Sequence, residues 1–256
     1  MAVLSVDLAF RSWTDLGIVV LSGGAGDGAP IDCEIMPADT SIPGPVDANI
    51  LAGRLNHLCG VRGIRVMLLD GPQAWKSGLN GLKHARVSER QLNTAAKTGL
   101  PGMVKPITYR PFAEFCLDVY DALCRRGWRR LDTQEQARTE QGRVLVESYP
   151  HAAWRSLGLK PLPAKRRARV SDLAEAYAAL RAVAPFTTNR PPNHDQLQAI
   201  VGGLAGLALE EGGTADGPTG MRIVGNPPRR EDGQWREGYI VLPVPARRSA
   251  AFQWPH

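Results

Sequence analysis

The sequence predicts an α/β fold, a mixed sheet flanked by helices, and two observations carry that prediction. The chain opens with three apolar runs parted by turn residues, "AVLSVDLAF", "DLGIVVLSG" and "IDCEIMP", which read as an antiparallel meander. A helical segment then delivers the chain to "GIRVMLLDGPQAWK", where Val66 to Leu69 form an apolar run that stops on Asp70 and turns on Gly71 and Pro72. A short apolar run bounded by turn residues predicts a strand covered on both faces, as in parallel sheets. At 256 residues and 43% apolar content the chain can bury a substantial core, and it reads as one domain over 1–256.

In order, the first strand runs toward Asp7, the second spans Leu16 to Leu21, and the third lies in "IDCEIMP". The link "SGGAGDGAP" reads as a hairpin loop rather than a phosphate cradle, because neither a Lys-Ser/Thr pair nor a helix follows it. Val46 to Cys59 has helical spacing, with Ile50, Leu51, Leu55 and Leu58 on one side. A basic insertion at about 73–110 follows Asp70 and carries Lys76, Lys83, Arg86, Arg90, Lys97 and Lys105. It reads either as a solvated face or as substrate contact, and insertions of this length in compact domains are more often functional.

Pro111 opens a helix at its preferred first position, and Phe112, Phe115, Val119 and Leu123 supply a buried stripe to about Arg126. "RVLVESYPHAAW" repeats the opening theme: Val144 to Val146 lead into Glu147, and a helix follows Pro150. "KPLPAKRRAR", Lys160 to Arg169, is either a solvated linker or a path for phosphates. Val170 to Val183 is an Ala-rich helix. The next helix, capped near Asn193, has Leu197, Ile200, Val201, Leu204 and Leu207 apolar and Asp195 in its first turn. "EGYIVLPVP" reads as a last strand closing the surface.

A net charge of +6 and a pI near 9.4 favour contact with polyanions. No run of eighteen or more apolar residues and no signal-type N-terminus occur, so no membrane partner and a cytoplasmic location are expected. Cys33, Cys59, Cys116 and Cys124 form no C-x-x-C pair and read as free thiols. His57, His84, His151 and His194 read as surface or core residues.

Asp7, Asp70, Glu147 and Asp195 come from three strand ends and one helix start. Singly, each has a plainer explanation: Asp suits turns, and an acid in a helix's first turn suits the dipole. In a sheet of order 3-2-1-4-5, strands one, four and five are adjacent and parallel, which brings Asp7, Asp70 and Glu147 to one edge. Carboxylates crowded there repel unless protonated or neutralised, and a divalent cation is the common solution. Mg²⁺, or Mn²⁺ in its place, suits hard oxygen ligands and supports phosphodiester hydrolysis.

Taken together and in order, "VLSVDLA", "LLDGP", "VESYPHAAW", "LPAKRRAR", "NHDQLQAIVGGLAG" and "EGYIVLP" resemble the predicted nuclease family called domain of unknown function 429, over nearly the whole chain. That family is assigned to the ribonuclease H-like superfamily, with Holliday-junction resolvases among its distant relatives. The resemblance implies a ribonuclease H-like mixed five-stranded sheet, order 3-2-1-4-5, flanked by helices, with an insertion after the fourth strand and a C-terminal extension. It implies Asp7, Asp70, Glu147 and Asp195 as catalytic metal ligands. The basic flanks, Arg86, Arg90, Lys97, Lys105, Lys165, Arg166, Arg167 and Arg169, are the expected contacts to DNA or RNA. One departure matters. Relatives of this type often show D-x-x-D-A in the last helix, whereas here Gln198 stands where the second acid would be, and an amide supplies no anionic charge. The expected function is a metal-dependent nuclease. Two alternatives stand beside it: a non-catalytic nucleic-acid-binding module with a degenerate metal site, and an actin-like phosphotransferase, against which the lack of paired phosphate loops argues.

Overall fold

The computed structural model describes residues 2–23, 30–37, 41–132, 142–211 and 219–245. Strand β1 (Ala2–Asp7) pairs antiparallel with β2 (Gly17–Gly23), and β2 antiparallel with β3 (Ile31–Ile35), so the opening meander forms as expected. Most of the glycine-rich link between β2 and β3 lies outside the described residues. Helix α1 (Ala48–Arg62) begins after Asp47, whose carboxylate accepts the Ile50 N–H at 2.8 Å. It ends at Gly63, which takes the left-handed conformation at φ 65° that side chains avoid.

The chain returns as β4 (Val66–Asp70), parallel to β1. The insertion, with a short α2 (Val87–Gln91), leads to α3 (Arg110–Cys124). Strands β5 (Arg129–Arg130) and β6 (Val144–Ser148) follow, with β6 parallel to β4. The order β3-β2-β1-β4-β6 is the expected 3-2-1-4-5 arrangement, with β6 in fifth place, and its strand directions are those of a ribonuclease H-like sheet.

The sheet is wider than expected, with nine strands among the described residues instead of five. Helices α4 (Pro150–Ser156) and α5 (Val170–Val183) lead to β7 (Phe186–Thr188), which adds to the free edge of β3. Beyond α6 (His194–Glu210) come β8 (Thr219–Val224), a ribbon of β9 (Arg229–Glu231) and β10 (Gln234–Arg236), and β11 (Ile240–Pro245). The last of these does not close the surface as expected. It lies inside the sheet, parallel to β6 and antiparallel to β8, because Ile240 to Val244 are buried on both faces. The outer edge of β6 is therefore divided, with β5 paired to Val144 and Leu145 and β11 paired to Glu147 and Ser148.

Alternation along the central strands feeds two cores. Val3, Val66, Leu68 and Val146 face α6, while Leu4, Val6, Met67, Leu69 and Leu145 face α1 and α3. Helix α6 sits close to the sheet because glycines replace side chains where it crosses β1 and β4. A Cβ on Gly203 would lie 2.6 Å from a Leu21 methyl and 2.7 Å from Ser5 Cβ. Among the described residues no helix is long and apolar enough to cross a membrane.

Ser5 Cβ is fixed to the strand backbone, so a methyl at position 203 must push α6 off the sheet. Gly203→Ala is expected to destabilise the protein by about 1–3 kcal/mol, the usual cost of overpacking, despite the better helix propensity of Ala. Urea denaturation of the variant against wild type measures it.

Candidate metal and nucleic-acid site

Strand register decides which acids meet. Asp7 lies opposite Asp70, and Asp70 lies opposite Ser148, so Asp7 and Asp70 project on the face covered by α6. Glu147 lies opposite Leu69, one residue out of step, and projects on the other face. The expected trio at one sheet edge is thus a pair from the strands, joined from above by Asp195 in the first turn of α6. Gly17 makes that approach possible. It pairs with Asp7 across β1 and β2, and a Cβ on it would stand 2.2 Å from the Asp195 carbonyl oxygen.

The electrostatics follow from this crowding. Burial, then the charges of Asp70 and Asp195, holds the Asp7 carboxyl well above the usual range. Burial also pushes Asp70 up, to about 6, against a hydrogen bond from Asp7 and the positive charge of Lys97. The two carboxyls therefore resist carrying two negative charges side by side, and both are held up, Asp7 the more strongly.

Asp195 has a cation of its own. Lys165 Nζ donates to Asp195 Oδ2, and also to Asp15 Oδ1 at 2.8 Å. Lys165, expected on nucleic acid, is here held by two carboxylates, although its side chain stays 48% exposed. On the other side of Asp195, His194 Nε2 stands 2.9 Å from the Pro163 carbonyl oxygen and Nδ1 3.2 Å from Asp195 Oδ1. A carbonyl only accepts, so Nε2 is the ring nitrogen that donates to Pro163, which fixes the ring beside Asp195. Sequence reading passed over His194; its place beside Asp195 in "NHD" is the signal that could have found it.

Glu147 is occupied differently. Both its oxygens accept from Arg86, Nη1 and Nη2 each at 2.6 Å, and Oε2 also accepts the Gln73 N–H at 3.0 Å. The side chains are 3% and 5% exposed, so this is a buried bidentate pair. Burial raises the Glu147 carboxyl and Arg86 offsets part of that. Arg86, expected on nucleic acid, is corrected here: it is buried against Glu147, with Nε bonded to Thr98. Two further buried acids pin the insertion. Glu89 accepts the N–H groups of Arg86, Lys97 and Thr98, and Glu237 accepts those of Ser77 and Val87.

The other expected contacts divide by position. Arg90, Lys105, Arg166, Arg167 and Arg169 are exposed and form no side-chain ion pair among the described residues. Lys97 is half-buried, with its ammonium 4.8 Å from the centre of the Tyr109 ring. Gln198 turns its oxygen toward α4, accepting the Trp154 indole N–H at 2.8 Å. Asp70, Arg86, Lys97 and Glu147 line one small cavity of about 130 Å³. Among the described residues, no group of three or more His, Cys, Asp or Glu side chains stands ready, as placed, to hold a metal ion.

No family model and no curated protein matches the chain. Among solved structures it is similar to the Thermus thermophilus RuvC structure, at 12% identity and a TM-score of 0.39, over 83% of this chain and 97% of that one. It is also similar to T. thermophilus RuvC in complex with Holliday junction substrate, at 11% identity and a TM-score of 0.37, over 79% and 90% of the two chains. Likeness at this level carries no functional argument; the fold assignment rests on the strand order and directions.

Two outcomes follow. Removing one partner of the buried pair strands the other, so Arg86→Met is expected to cost about 3–5 kcal/mol, while Arg86→Met with Glu147→Leu recovers much of it; a double-mutant cycle by urea denaturation reads both. The second concerns pH. Between the ordinary carboxylate range and about 6, the folded chain holds a proton at the Asp7–Asp70 pair that the unfolded chain has released. This pair's contribution to stability therefore falls as pH rises through that window. Melting curves from pH 4 to 8 are expected to show a shallower fall for Asp7→Asn than for wild type.

Proposed function

We propose that the chain is a metal-dependent nuclease that hydrolyses phosphodiester bonds in DNA or RNA, with Asp7, Asp70 and Asp195 holding Mg²⁺ or Mn²⁺. One observation carries the reading: Asp7 and Asp70 end adjacent parallel strands in register, while Asp195, at the start of the facing helix, is brought down beside them over Gly17 and adds to their repulsion. The donor set fits a hard divalent cation, since it offers only oxygen and gains from added positive charge. The Lys165 ammonium supplies part of that charge to Asp195 in the protein as it stands. When bound, such ions activate water and stabilise the leaving oxygen of phosphodiester cleavage.

The protein's own groups have distinct parts in this reading. Asp7, held above the usual carboxylate range by burial and by Asp70 and Asp195, is a ligand whose charged form a bound cation would favour. His194 and Lys165 orient Asp195, each at a different oxygen. Glu147 is an anchor for the insertion instead of a ligand, through Arg86. Arg90, Lys105, Arg166, Arg167 and Arg169 are the exposed cations available to phosphates, and Lys97 extends positive charge toward Asp70. A second reading, a binding module that kept the fold without catalysis, is favoured by Gln198 and by the commitment of Glu147 to Arg86.

Asp7→Asn is nearly isosteric and removes one anionic donor. It is expected to keep the fold and lower Mg²⁺- or Mn²⁺-dependent cleavage at least about a hundredfold, the order seen when one electrostatic stabilising group is lost. The assay titrates both metals against single-stranded, duplex and branched DNA and RNA. Cleavage surviving intact in the variant places the chemistry elsewhere. No cleavage by wild type, with salt-sensitive binding retained, selects the binding module.

A further inference from the structure

A large cleft lies outside the site above. It measures about 930 Å³ and lies between the segment after α2, helix α4 and the outer face of β8 and β11. Thr94, Ala95 and Tyr149 line both this cleft and the small cavity that holds Asp70, so the two spaces adjoin. The doorway is built: Thr94 Oγ1 and the Tyr149 hydroxyl are hydrogen-bonded at 2.9 Å, which ties the insertion to the end of β6. The far wall is built too, because Gln91 Oε1 accepts the Gly225 N–H at 2.6 Å.

The lining has one sign of charge. Arg155 from α4 and Arg222 from β8 are exposed on it and form no ion pair among the described residues, and none of the residues that line it is acidic. The His151 ring on its rim reports the same field: after burial, Arg155 and Lys97 hold its pKa down. Lys97 also acts on Asp70, so positive charge runs from the cleft to the acids. Two rings line the cleft, Tyr149, half-buried at the doorway, and His151, exposed, with centroids 6.1 Å apart. Unpaired arginines that track a backbone, beside rings that offer a flat face, are the components of sequence-tolerant single-strand binding. Bases in a duplex are already stacked and have no face to give such rings.

We propose that this cleft holds a single-stranded arm of a nucleic acid leading away from the acidic centre, with Arg155 and Arg222 on backbone phosphates and Tyr149 and His151 against an unpaired base. The proposal deepens the nuclease reading and rests on it for the position of the scissile phosphate. It makes single-stranded or branched nucleic acid, DNA or RNA, the substrate class, and it gives the β8 edge a part in holding it.

The test is fluorescence anisotropy with labelled oligothymidylate, oligouridylate and a blunt DNA duplex, using the full chain in EDTA so that binding is read without cleavage. Arg155→Ala with Arg222→Ala is expected to weaken single-strand binding at least about tenfold. It should also flatten the plot of log affinity against log salt by about 0.7 for each phosphate that the variant no longer neutralises. Arg125→Ala with Arg126→Ala, which removes the same charge beyond α3, is expected to leave the slope unchanged. His151→Ala should weaken single strands and leave the duplex alone. Wild-type affinity and slope in the cleft variant overturn the proposal, as does failure of the wild type to bind either single strand. Saturation by uridine monophosphate with no gain for the oligonucleotide also overturns it. The two readings fail separately: cleavage lost in Asp7→Asn with cleft variants binding normally sinks the cleft alone, and cleft-dependent binding by a chain that cuts nothing sinks the nuclease alone.

Discussion

The buried pair of Arg86 and Glu147 is the constraint around which the insertion is arranged. Glu147 is carried by a central strand, and Arg86 lies at the start of α2, so one bidentate contact locks the insertion to the sheet. A charge pair removed from water is costly, and its net contribution to stability is small or even unfavourable against apolar replacements. What it supplies is position. With Arg86 held, Glu89 collects the N–H groups of Lys97 and Thr98, which sets Lys97 over Tyr109 and toward Asp70. The same pinning brings Thr94 to Tyr149 and shapes the passage between acids and cleft.

On the opposite face, α6 makes a second demand of a different kind. Its place is set by absent side chains, since Gly17 admits the helix start beside Asp7 and Gly203 lets the helix press on Ser5 and Leu21. Asp195 is therefore positioned by backbone packing, with Lys165 and His194 on its carboxylate as finer adjustments. The acidic centre thus depends on two supports that share no residue.

Much of this was legible in the sequence wherever a local pattern ends abruptly. Asp7 and Asp70 each terminate an apolar run, and Asn193 caps α6 two residues before Asp195, so these acids could be placed at strand ends and a helix start. Glu147 showed the same pattern, yet its face depends on a one-residue offset against β4 that no local pattern records. Arg86 and Arg90 look alike in a polar stretch without periodicity, although one is buried and the other exposed. Strands β5 and β7, of two and three residues, are too short to show alternation, and β8 follows directly on a Gly-rich segment. Resemblance to the domain of unknown function 429 family rests on ordered short motifs, with no family model matching to support it.

The divided outer edge of β6 has a consequence for how the molecule is put together. Half of that edge is covered by β5, close in sequence, and half by β11, which is distant. Contacts between distant segments carry a larger loop-closure cost than local ones. Without β11, the backbone of Glu147 and Ser148 would be an unpaired strand edge, of the kind that recruits foreign strands. The docking of β11 satisfies that edge and carries β8, with Arg222, into place. The strand that closes this edge is thus also the one that anchors the Arg222-bearing strand beside the acids, so one pairing serves both the sheet and the cleft.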